Sequence, residues 1–287
     1  MAASRVWLIT GTSSGLGLEL AKIVASRGDR VIAASRSPQK SPLVGLAGIT
    51  TVRLDHNEPL PKIQAAMDDI LKIHGTVDIV VNNAAYVQTG TVEETTPEET
   101  LRQFQANTFG PINVYRAILP HMRKKKSGTL VTIGSMAAWY PMPSCNMYNA
   151  SKAALRWLTI GLADEVKDLG IRHCLIEPGF FRTELLKPGA NLTEIVTRIP
   201  DYAQLNATAD ANFKAFHGSQ AGDPVKGVEI IYDVVTSSGV AAGRPLPSFM
   251  PLGSDAVTEI SKSAQKTIEE VKEWEEIARQ SDFRDGK

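Results

Sequence analysis

The sequence has little cysteine, no net charge and no long apolar run, and each absence argues against a class of protein. Of 287 residues only two are cysteines, and Cys145 and Cys174 form neither a metal-binding spacing nor a disulfide framework. The 31 basic residues are balanced by 31 acidic ones, so no net field attracts nucleic acid or an anionic membrane. No apolar stretch is long enough to cross a bilayer. We therefore expect no nucleic-acid partner, no metal and no membrane span.

The chain begins almost directly with the apolar segment 6–9, without a charged-then-apolar signal segment. This start predicts a cytoplasmic protein. The hydrophobic fraction of 43% suits one large α/β domain with a substantial core, and we expect a single domain over 1–287.

Apolar segments recur along the chain and predict the strands of one sheet. Together with the helical patterns between them, they predict a Rossmann-type doubly wound parallel sheet of about seven strands, with helices on both faces. Residues 184–224 are of mixed polarity and are broken by proline and glycine, which predicts an inserted helical flap over the site. Residues 254–287 are predicted to form a C-terminal helical extension. The predicted strands are 6–10, 31–34, 51–55, 77–81, 129–133, 171–176 and, at the edge, 245–250.

A glycine-rich turn follows the first predicted strand. The segment 10–17 reads T-G-T-S-S-G-L-G and runs into a helical pattern. Glycines let the backbone approach a pyrophosphate closely, and a helix N-terminus favours negative charge. The spacing is G-x-x-x-G-x-G rather than G-x-G-x-x-G, and such a turn alone is often only a turn. Its position directly after the first strand favours a nucleotide.

The end of the second predicted strand bears on cofactor choice. NAD-binding proteins place an acidic residue there, whereas this chain has Ser35 and then Arg36. A guanidinium would pair with a 2′-phosphate, which predicts NADP(H) over NAD(H); the alternative is an exposed loop arginine. Asp55, at the end of the third strand, could meet an adenine edge. Asn83 and Ala84 follow the fourth strand and would let backbone lie close to a cofactor, or would simply form a tight turn.

Tyr148 and Lys152 lie four residues apart in a helical pattern, so both side chains share one face. An ammonium beside a phenol favours the phenolate, and the pair could serve as a general acid and base. The alternative is an ordinary surface helix. Ser135, which ends the fifth predicted strand, is placed to donate a hydrogen bond to a substrate oxygen. Asn107 lies within a predicted helix over 97–123, interrupted near 110–111, where its amide could bridge a polar network or face solvent.

Together these motifs resemble the short-chain dehydrogenase/reductase family, in its single-domain NADP-dependent form. The likeness covers about 6–185 and is strong because several weak motifs occur in the right order. Residues 10–17 match the cofactor turn T-G-x-x-x-G-x-G, and 82–85 match N-N-A-G except at Ala85. Pro178, Gly179 and Thr183 match the segment that meets the nicotinamide. The catalytic tetrad corresponds, in order, to Asn107, Ser135, Tyr148 and Lys152.

The resemblance implies NADP(H)-dependent interconversion of a carbonyl and a secondary alcohol. Tyr148 would exchange the proton, Lys152 would lower the phenol pKa and hold the nicotinamide ribose, Ser135 would polarise the carbonyl, and Asn107 would anchor a water. The resemblance further implies a homodimer or homotetramer. The cofactor contacts implied are Gly11, Ser13, Ser14, Gly15, Leu16, Gly17, Ser35, Arg36, Asp55, Asn83, Ala84, Tyr148, Lys152, Pro178, Gly179, Phe181 and Thr183.

Large apolar side chains near the predicted cleft suggest a lipophilic substrate, although they could equally pack the flap. These are Trp139, Tyr140, Met142, Met147, Phe180 and Phe181. Two other functions fit the same fold. One is a non-catalytic protein that senses NADP(H). The other is a biosynthetic enzyme in which reduction is coupled to, or replaced by, a rearrangement or cyclisation.

Overall fold

The computed structural model describes residues 4–187, 192–193 and 197–283. Seven strands form one parallel sheet in the order β3-β2-β1-β4-β6-β7-β9, and β5 pairs with β8 in a separate two-stranded ladder. The strands are β1 (Val6–Thr10), β2 (Arg30–Ser35), β3 (Ile49–Arg53), β4 (Ile79–Asn82), β5 (Val87–Gln88), β6 (Gly128–Ile133), β7 (Ile171–Pro178), β8 (Leu192–Thr193) and β9 (Phe249–Leu252).

Helices connect the parallel strands and cover the sheet. They are α1 (Gly15–Ser26), α2 (Leu60–His74), α3 (Pro97–Phe104), α4 (Gly110–Lys125), α5 (Asn146–Val166), α6 (Ala203–Phe216), α7 (Pro224–Thr236) and α8 (Ser254–Ala278). The strand order turns outward on both sides of β1 and β4, as in doubly wound sheets. The predicted fold class is therefore confirmed.

The sheet separates two hydrophobic cores because successive side chains of a strand point to opposite faces. On one face Trp7 and Ile9 pack with α1 and α7. On the other face Val6 and Leu8 pack with α2, α4 and α5. Because both faces of the sheet are covered, the middle strands are almost continuously apolar, and these apolar runs are what predicts the strands from the sequence.

Local capping explains where two of the helices begin. Thr96 and Glu99 form a reciprocal capping box at the start of α3, with Pro97 in the first turn. Asp223 accepts hydrogen bonds from the N–H groups of Val225 and Lys226 at the start of α7. Both devices satisfy backbone donors that a helix N-terminus leaves unpaired.

The structure differs from the predicted elements at two places. The helix predicted over 97–123 is divided by a π-helical turn, Gln105–Phe109, rather than by a break at Gly110. The edge strand predicted over 245–250 instead forms at Phe249–Leu252. Pro245 and Pro247 have no N–H to donate to a neighbouring strand, and pairing with β7 begins after them, although β9 itself contains Pro251.

The predicted flap over 184–224 contains β8 and α6, and its residues 188–191 and 194–196 lie outside the described residues. A buried carboxylate fixes the described part, because Glu94 accepts hydrogen bonds from the Ile199 N–H and the Asn206 amide. The predicted domain limits stay a prediction.

The C-terminal helix α8 packs on the body only near its start, through Ala256 and Ile260. Its second half exposes Val271 and Trp274. Residues 284–287 of the predicted extension lie outside the described residues. Among the helices described, none has both the length and the apolar character to cross a membrane.

Candidate active site

A cavity of about 670 Å³ opens at the carboxyl ends of the central strands. This is where open α/β sheets collect ligands, because the strand order reverses there. The cavity brings together side chains from the first glycine turn, from the ends of β2, β4, β6 and β7, from α5 and from the flap. The predicted site residues that line it are Gly11, Ser13, Ser14, Gly15, Leu16, Ser35, Arg36, Asp55, Asn83, Ala84, Ser135, Tyr148, Lys152, Pro178, Gly179, Phe181 and Thr183.

The glycine turn after β1 is built for close backbone approach. Gly11 has φ +69°, and a Cβ there would lie 2.7 Å from the Ala84 Cα. Gly15, with φ +59°, opens helix α1 and lines the cavity. Only glycine fits both the left-handed backbone and the close approach at Gly11. The turn therefore presents backbone and a helix N-terminus to the cavity, as a pyrophosphate requires.

Gly17, which is predicted to contact a cofactor, is not part of the cavity lining. It is buried, and a Cβ there would meet the Asn83 side-chain amide nitrogen and lie 2.5 Å from the Gly11 carbonyl oxygen. That amide nitrogen donates to the carbonyl oxygens of Thr10 and Gly11, at 3.0 and 3.2 Å. Gly17 thus makes room for the amide that ties the glycine turn to the end of β4.

The end of β2 offers unpaired polar groups to the cavity. Ser35 is buried, and its Oγ has no hydrogen-bond partner among the described residues. Arg36 is exposed beside it and forms no ion pair with any residue that the structure describes. A buried hydroxyl without a partner costs free energy, so a ligand that bonds it gains affinity. Both residues are therefore available to a nucleotide in the cavity.

Beside Asp55 the structure places His56, which sequence reasoning missed. Its ring is buried against Gly110 of α4, and it lines the cavity. Burial lowers the pKa of this imidazole to about 4, with the charge of Asp55 opposing the fall. The ring is therefore neutral at physiological pH. No motif marks it, because a lone histidine after a strand is usually a packing residue.

Ser135, Tyr148 and Lys152 line the same cavity. Ser135 lies just beyond β6, and its Oγ accepts a hydrogen bond from the Ala137 N–H at 3.1 Å. Tyr148 and Lys152 project from the first turns of α5 and are buried at 7% and 3% exposure. The Lys152 ammonium donates to the Ile133 carbonyl oxygen at 2.9 Å.

Burial governs the protonation of both α5 residues. It raises the pKa of the Tyr148 phenol to about 12, against a hydrogen bond with Ser135 that lowers it. It lowers the pKa of the Lys152 ammonium to about 8, against the charge of Glu177 that raises it. Burial is the largest influence on the phenol pKa, and the Lys152 ammonium hydrogen-bonds to the Ile133 carbonyl oxygen. That Lys152 favours the phenolate stays a prediction. At neutral pH the phenol is protonated.

Asn107 does not line the cavity but is fully buried within the π-helical turn. Its side-chain oxygen accepts from the Tyr86 N–H at 3.1 Å, and its nitrogen donates to the Tyr86 carbonyl oxygen at 2.9 Å and to the Ser151 hydroxyl at 3.2 Å. Of the two alternatives left by the sequence, the amide bridges a polar network. It fixes the backbone after β4, which runs along the cavity.

The remaining walls of the cavity are largely apolar. Met142, Cys145, Leu185 and Phe213 line this part, and Phe213 comes from α6 of the flap. Trp139 and Tyr140 were expected near the cleft, but they pack with Met136, Ala256 and Ile260 near the start of α8. Met147 also stays outside the lining, whereas Phe180 and Phe181 are part of it. The flap was predicted to lie over the site, but no sequence pattern singles out Leu185 and Phe213 among its residues.

The described residues contain no group of three or more histidine, cysteine or acidic side chains that could hold a metal ion. The parallel sheet, the glycine turn after its first strand and the cavity at its carboxyl edge define a Rossmann-type dinucleotide-binding protein. Residues 5–191 match the family model described as short chain dehydrogenase. The chain belongs to this family of oxidoreductases.

Relatives of similar length agree with this membership. The oxidoreductase BOA17 of Botryotinia fuckeliana is 30% identical over 279 residues, which cover 96% of this chain and 98% of that protein. A 3-ketodihydrosphingosine reductase of Bacteroides thetaiotaomicron is 32% identical over 199 residues, which cover 69% and 72% of the two chains.

Solved structures show the same fold. A short-chain dehydrogenase from Streptomyces avermitilis has a TM-score of 0.85 at 34% identity, covering 98% of this chain and 100% of that one. Two more distant structures share the fold at TM-scores of 0.72 and 0.74, with 20% and 23% identity. One, from Burkholderia cenocepacia, is a complex with NADP, and the other, from Burkholderia phymatum, is a complex with NAD.

Proposed function

We propose that this protein interconverts a carbonyl and a secondary alcohol on a lipophilic small molecule, using NADP(H). One observation carries the proposal: the Tyr148 phenol is buried in the same cavity as Ser135, Lys152 and the glycine turn, where burial raises its pKa and favours the protonated form. A protonated phenol is the form that a carbonyl reductase needs, because reduction places negative charge on the carbonyl oxygen.

The cofactor would supply or accept the hydride, and the residues of this chain would manage position and the proton. The Tyr148 Oη would donate its proton to the carbonyl oxygen during reduction and take one back during oxidation. The Ser135 hydroxyl would hydrogen-bond the same oxygen and orient it. The Lys152 ammonium would hold the ribose next to the nicotinamide and favour negative charge on the phenol as the proton leaves.

The preference for NADP(H) rests on Ser35 and Arg36. Neither residue is acidic, so nothing at this strand end repels a 2′-phosphate, and the guanidinium can form a charge-assisted hydrogen bond with it. The shared fold does not decide the question, since structures with either cofactor resemble this chain. The residue pattern of this chain is therefore the basis of the proposal.

A lipophilic substrate is supported by the apolar walls beside Tyr148. Met142, Leu185 and Phe213 would remove an alkyl or ring system from water, at about 25 cal/mol for each Å² buried. One relative is named a reductase of 3-ketodihydrosphingosine, a substrate with a long apolar chain. That name is consistent with the chemistry proposed for the cavity.

The experiment follows NADPH oxidation with a panel of lipophilic ketones, including 2-decanone and trans-1-decalone, and compares Tyr148→Phe with the unmutated protein. Losing the proton donor is expected to lower kcat about 10²–10⁴-fold. NADPH affinity, measured by calorimetry, should change little. Tyr140→Phe is the matched control, because Tyr140 lies outside the cavity lining and should retain full turnover.

Near-normal turnover by Tyr148→Phe would overturn the role of the phenol. NADPH binding without oxidation of any ketone would favour a sensing protein instead. A product that differs from the simple alcohol would favour a coupled rearrangement or cyclisation. Product analysis by mass spectrometry, with and without NADPH, separates these outcomes.

The homo-oligomer remains part of the proposal. Trp157 and Leu158 on α5 are 69% and 45% exposed, and Leu101 and Phe109 are also exposed large apolar side chains. Apolar side chains of this size at a surface favour association. Light scattering should report a dimer or tetramer, and Trp157→Glu should shift it toward monomer. A monomer in the unmutated protein would refute this part.

A further inference from the structure

Glu177, the residue before Pro178 in β7, is a fully buried carboxylate that the proposed mechanism does not use. Its side chain is 0% exposed. Burial raises its pKa above the usual value, although a hydrogen bond from Trp139 and the charge of Arg156 oppose the rise. Ionised carboxylates in protein interiors are costly unless they are paired, so a carboxylate kept here calls for a physical reason.

One oxygen of this carboxylate is well satisfied. Glu177 Oε2 accepts a hydrogen bond from the Trp139 indole N–H at 2.5 Å and pairs with the Arg156 guanidinium at 2.8 Å. The guanidinium in turn lies 4.1 Å from the centre of the Trp139 ring and 5.0 Å from that of Phe249. These contacts favour the ionised form against the effect of burial and hold the carboxylate in one position.

The other oxygen, Oε1, has no hydrogen-bond partner among the described residues, and it lies near Gly134, just beyond the end of β6. Glu177 Oε1 would lie 3.1 Å from a Cβ built on Gly134. Gly134 follows Ile133, whose carbonyl oxygen holds the Lys152 ammonium at 2.9 Å. The unpartnered oxygen and the ammonium thus flank the same dipeptide at the end of β6.

Few other charges face this ammonium. On α5 the Tyr148 phenol is protonated, and Arg156 lies one turn further along, bound to the carboxylate. The His56 imidazole is neutral. On α8, Asp255 is directed at the Phe180 N–H at 2.7 Å. Glu177 is therefore the negative charge that acts on Lys152, and each of the two groups affects the other.

We propose that Glu177 is a positioning residue for the reaction: its buried carboxylate keeps Lys152 in the ammonium form at the end of β6. Without it, desolvation would drive the lysine toward the neutral amine, which can neither hold a ribose as a cation nor stabilise negative charge on the phenol. The kinetic consequence rests on the proposed function, whereas the protonation of Lys152 does not.

The test is Glu177→Gln, which keeps the shape and an acceptor for Trp139 but removes the charge. Lysine-selective isotope labelling and NMR would follow the titration of Lys152 in the full chain, with and without NADPH, and Lys152→Arg would identify its signal. The midpoint of Lys152 is expected to fall by about one pH unit, as for the loss of a nearby unit charge in a protein interior. In the pH profile of kcat/KM for reduction of trans-1-decalone, the decline at high pH (the basic limb) should move to lower pH by the same amount.

Trp139→Phe is the control, because it breaks a hydrogen bond of the same cluster while the carboxylate keeps its ion pair with Arg156. It should lower the melting temperature but move neither the Lys152 midpoint nor the basic limb. An unchanged Lys152 midpoint in Glu177→Gln, or equal shifts in both variants, would overturn the inference. If Glu177→Gln does not fold, Glu177→Asp replaces it. The shorter aspartate side chain moves the carboxylate away from Lys152, so the Lys152 midpoint should fall by less than in Glu177→Gln. An unchanged midpoint would again overturn the inference.

The two proposals fail separately. A shifted Lys152 midpoint in a protein that reduces no ketone would leave the inference standing and refute the reductase function. Ketone reduction by a protein whose Lys152 midpoint does not shift in Glu177→Gln would support the reductase function and refute the inference about Glu177.

Discussion

Replacing Glu94 by Gln is expected to release the flap from the body of the protein. Glu94 is 1% exposed and accepts hydrogen bonds through both oxygens, from the Ile199 N–H at 2.9 Å, from the Asn206 amide at 2.8 and 2.9 Å and from the Thr91 hydroxyl at 2.9 Å. All of these partners donate. A glutamine would turn its own N–H₂ group toward at least one of them, and a buried donor would lose its acceptor.

The loss is expected to cost about 2 kcal/mol, the usual cost of leaving a buried polar group unsatisfied. That free energy corresponds to about a 30-fold larger population of the open flap. Hydrogen exchange followed by mass spectrometry should show α6 peptides exchanging faster by that factor, while α2 peptides stay unchanged. Because Phe213 of α6 lines the cavity, KM for a lipophilic ketone should rise as well.

The neighbouring Glu93 is a matched control. It is exposed and accepts only one hydrogen bond among the described residues, from the Tyr202 hydroxyl at 2.8 Å. Glu93→Gln should therefore leave the exchange of α6 within a small factor of the unmutated protein. Equal exchange rates for the two variants, or no acceleration in Glu94→Gln, would refute the argument that the buried carboxylate holds the flap.

The contact between Glu94 and the flap should also make the stability of the flap depend on pH. Burial acts to raise the pKa of Glu94, but hydrogen bonds from Ile199, Asn206 and Thr91 outweigh it and hold the pKa at about 2. Since the folded pKa lies below the unfolded value of about 4.3, the carboxylate stabilises the flap above that value and less as the pH falls toward 2. The difference in α6 hydrogen-exchange rate between the unmutated protein and Glu94→Gln should therefore become smaller below about pH 4.

Three further substitutions probe the two ends of the cavity. Arg36→Asp should lower the preference for NADPH over NADH about 10–100-fold in kcat/KM, since a charge-assisted hydrogen bond is replaced by repulsion; an unchanged ratio would refute the role of Arg36. Gly17→Ala should lower the melting temperature and NADPH affinity, because the methyl group displaces Asn83, whereas Gly161→Ala on α5, with no atom within 4 Å, should be neutral or stabilising. Equal effects of the two alanines would contradict this. Phe213→Ala should raise KM for trans-1-decalone more than it lowers kcat, and an unchanged KM would place the substrate elsewhere.

Much of this site follows from where residues stand in the sequence. Gly11, Ser35, Asn83 and Ser135 each lie at the end of a strand or within two residues beyond it. In a parallel sheet the carboxyl ends of all strands meet at one edge. Local order along the chain therefore predicts proximity in space. The same reasoning explains why the seven-stranded sheet could be predicted, since buried parallel strands are continuous apolar runs.

Other features depend on contacts between distant segments, and no local pattern predicts them. Phe213 reaches the cavity on α6, which contacts such as the hydrogen bond from Asn206 to Glu94 hold in place across more than a hundred residues of sequence. The protonation of Tyr148 and Lys152 was expected to follow from their spacing of four residues, but it is set by how completely each is buried. Burial is a property of the whole packing arrangement, which a motif does not contain.

The π-helical turn at Gln105–Phe109 makes the active site sensitive to chain length as well as to residue type. Such a turn holds one residue more than an α-helix would need over the same span, and each residue of an α-helix advances by about 100°. Deleting a single residue here would let α3 and α4 run on as one regular helix and would rotate Gln103, which binds the Tyr86 carbonyl oxygen, away from Asn107. Loss of one residue would thus disrupt this wall of the cavity, although every side chain proposed to act in catalysis would still be present.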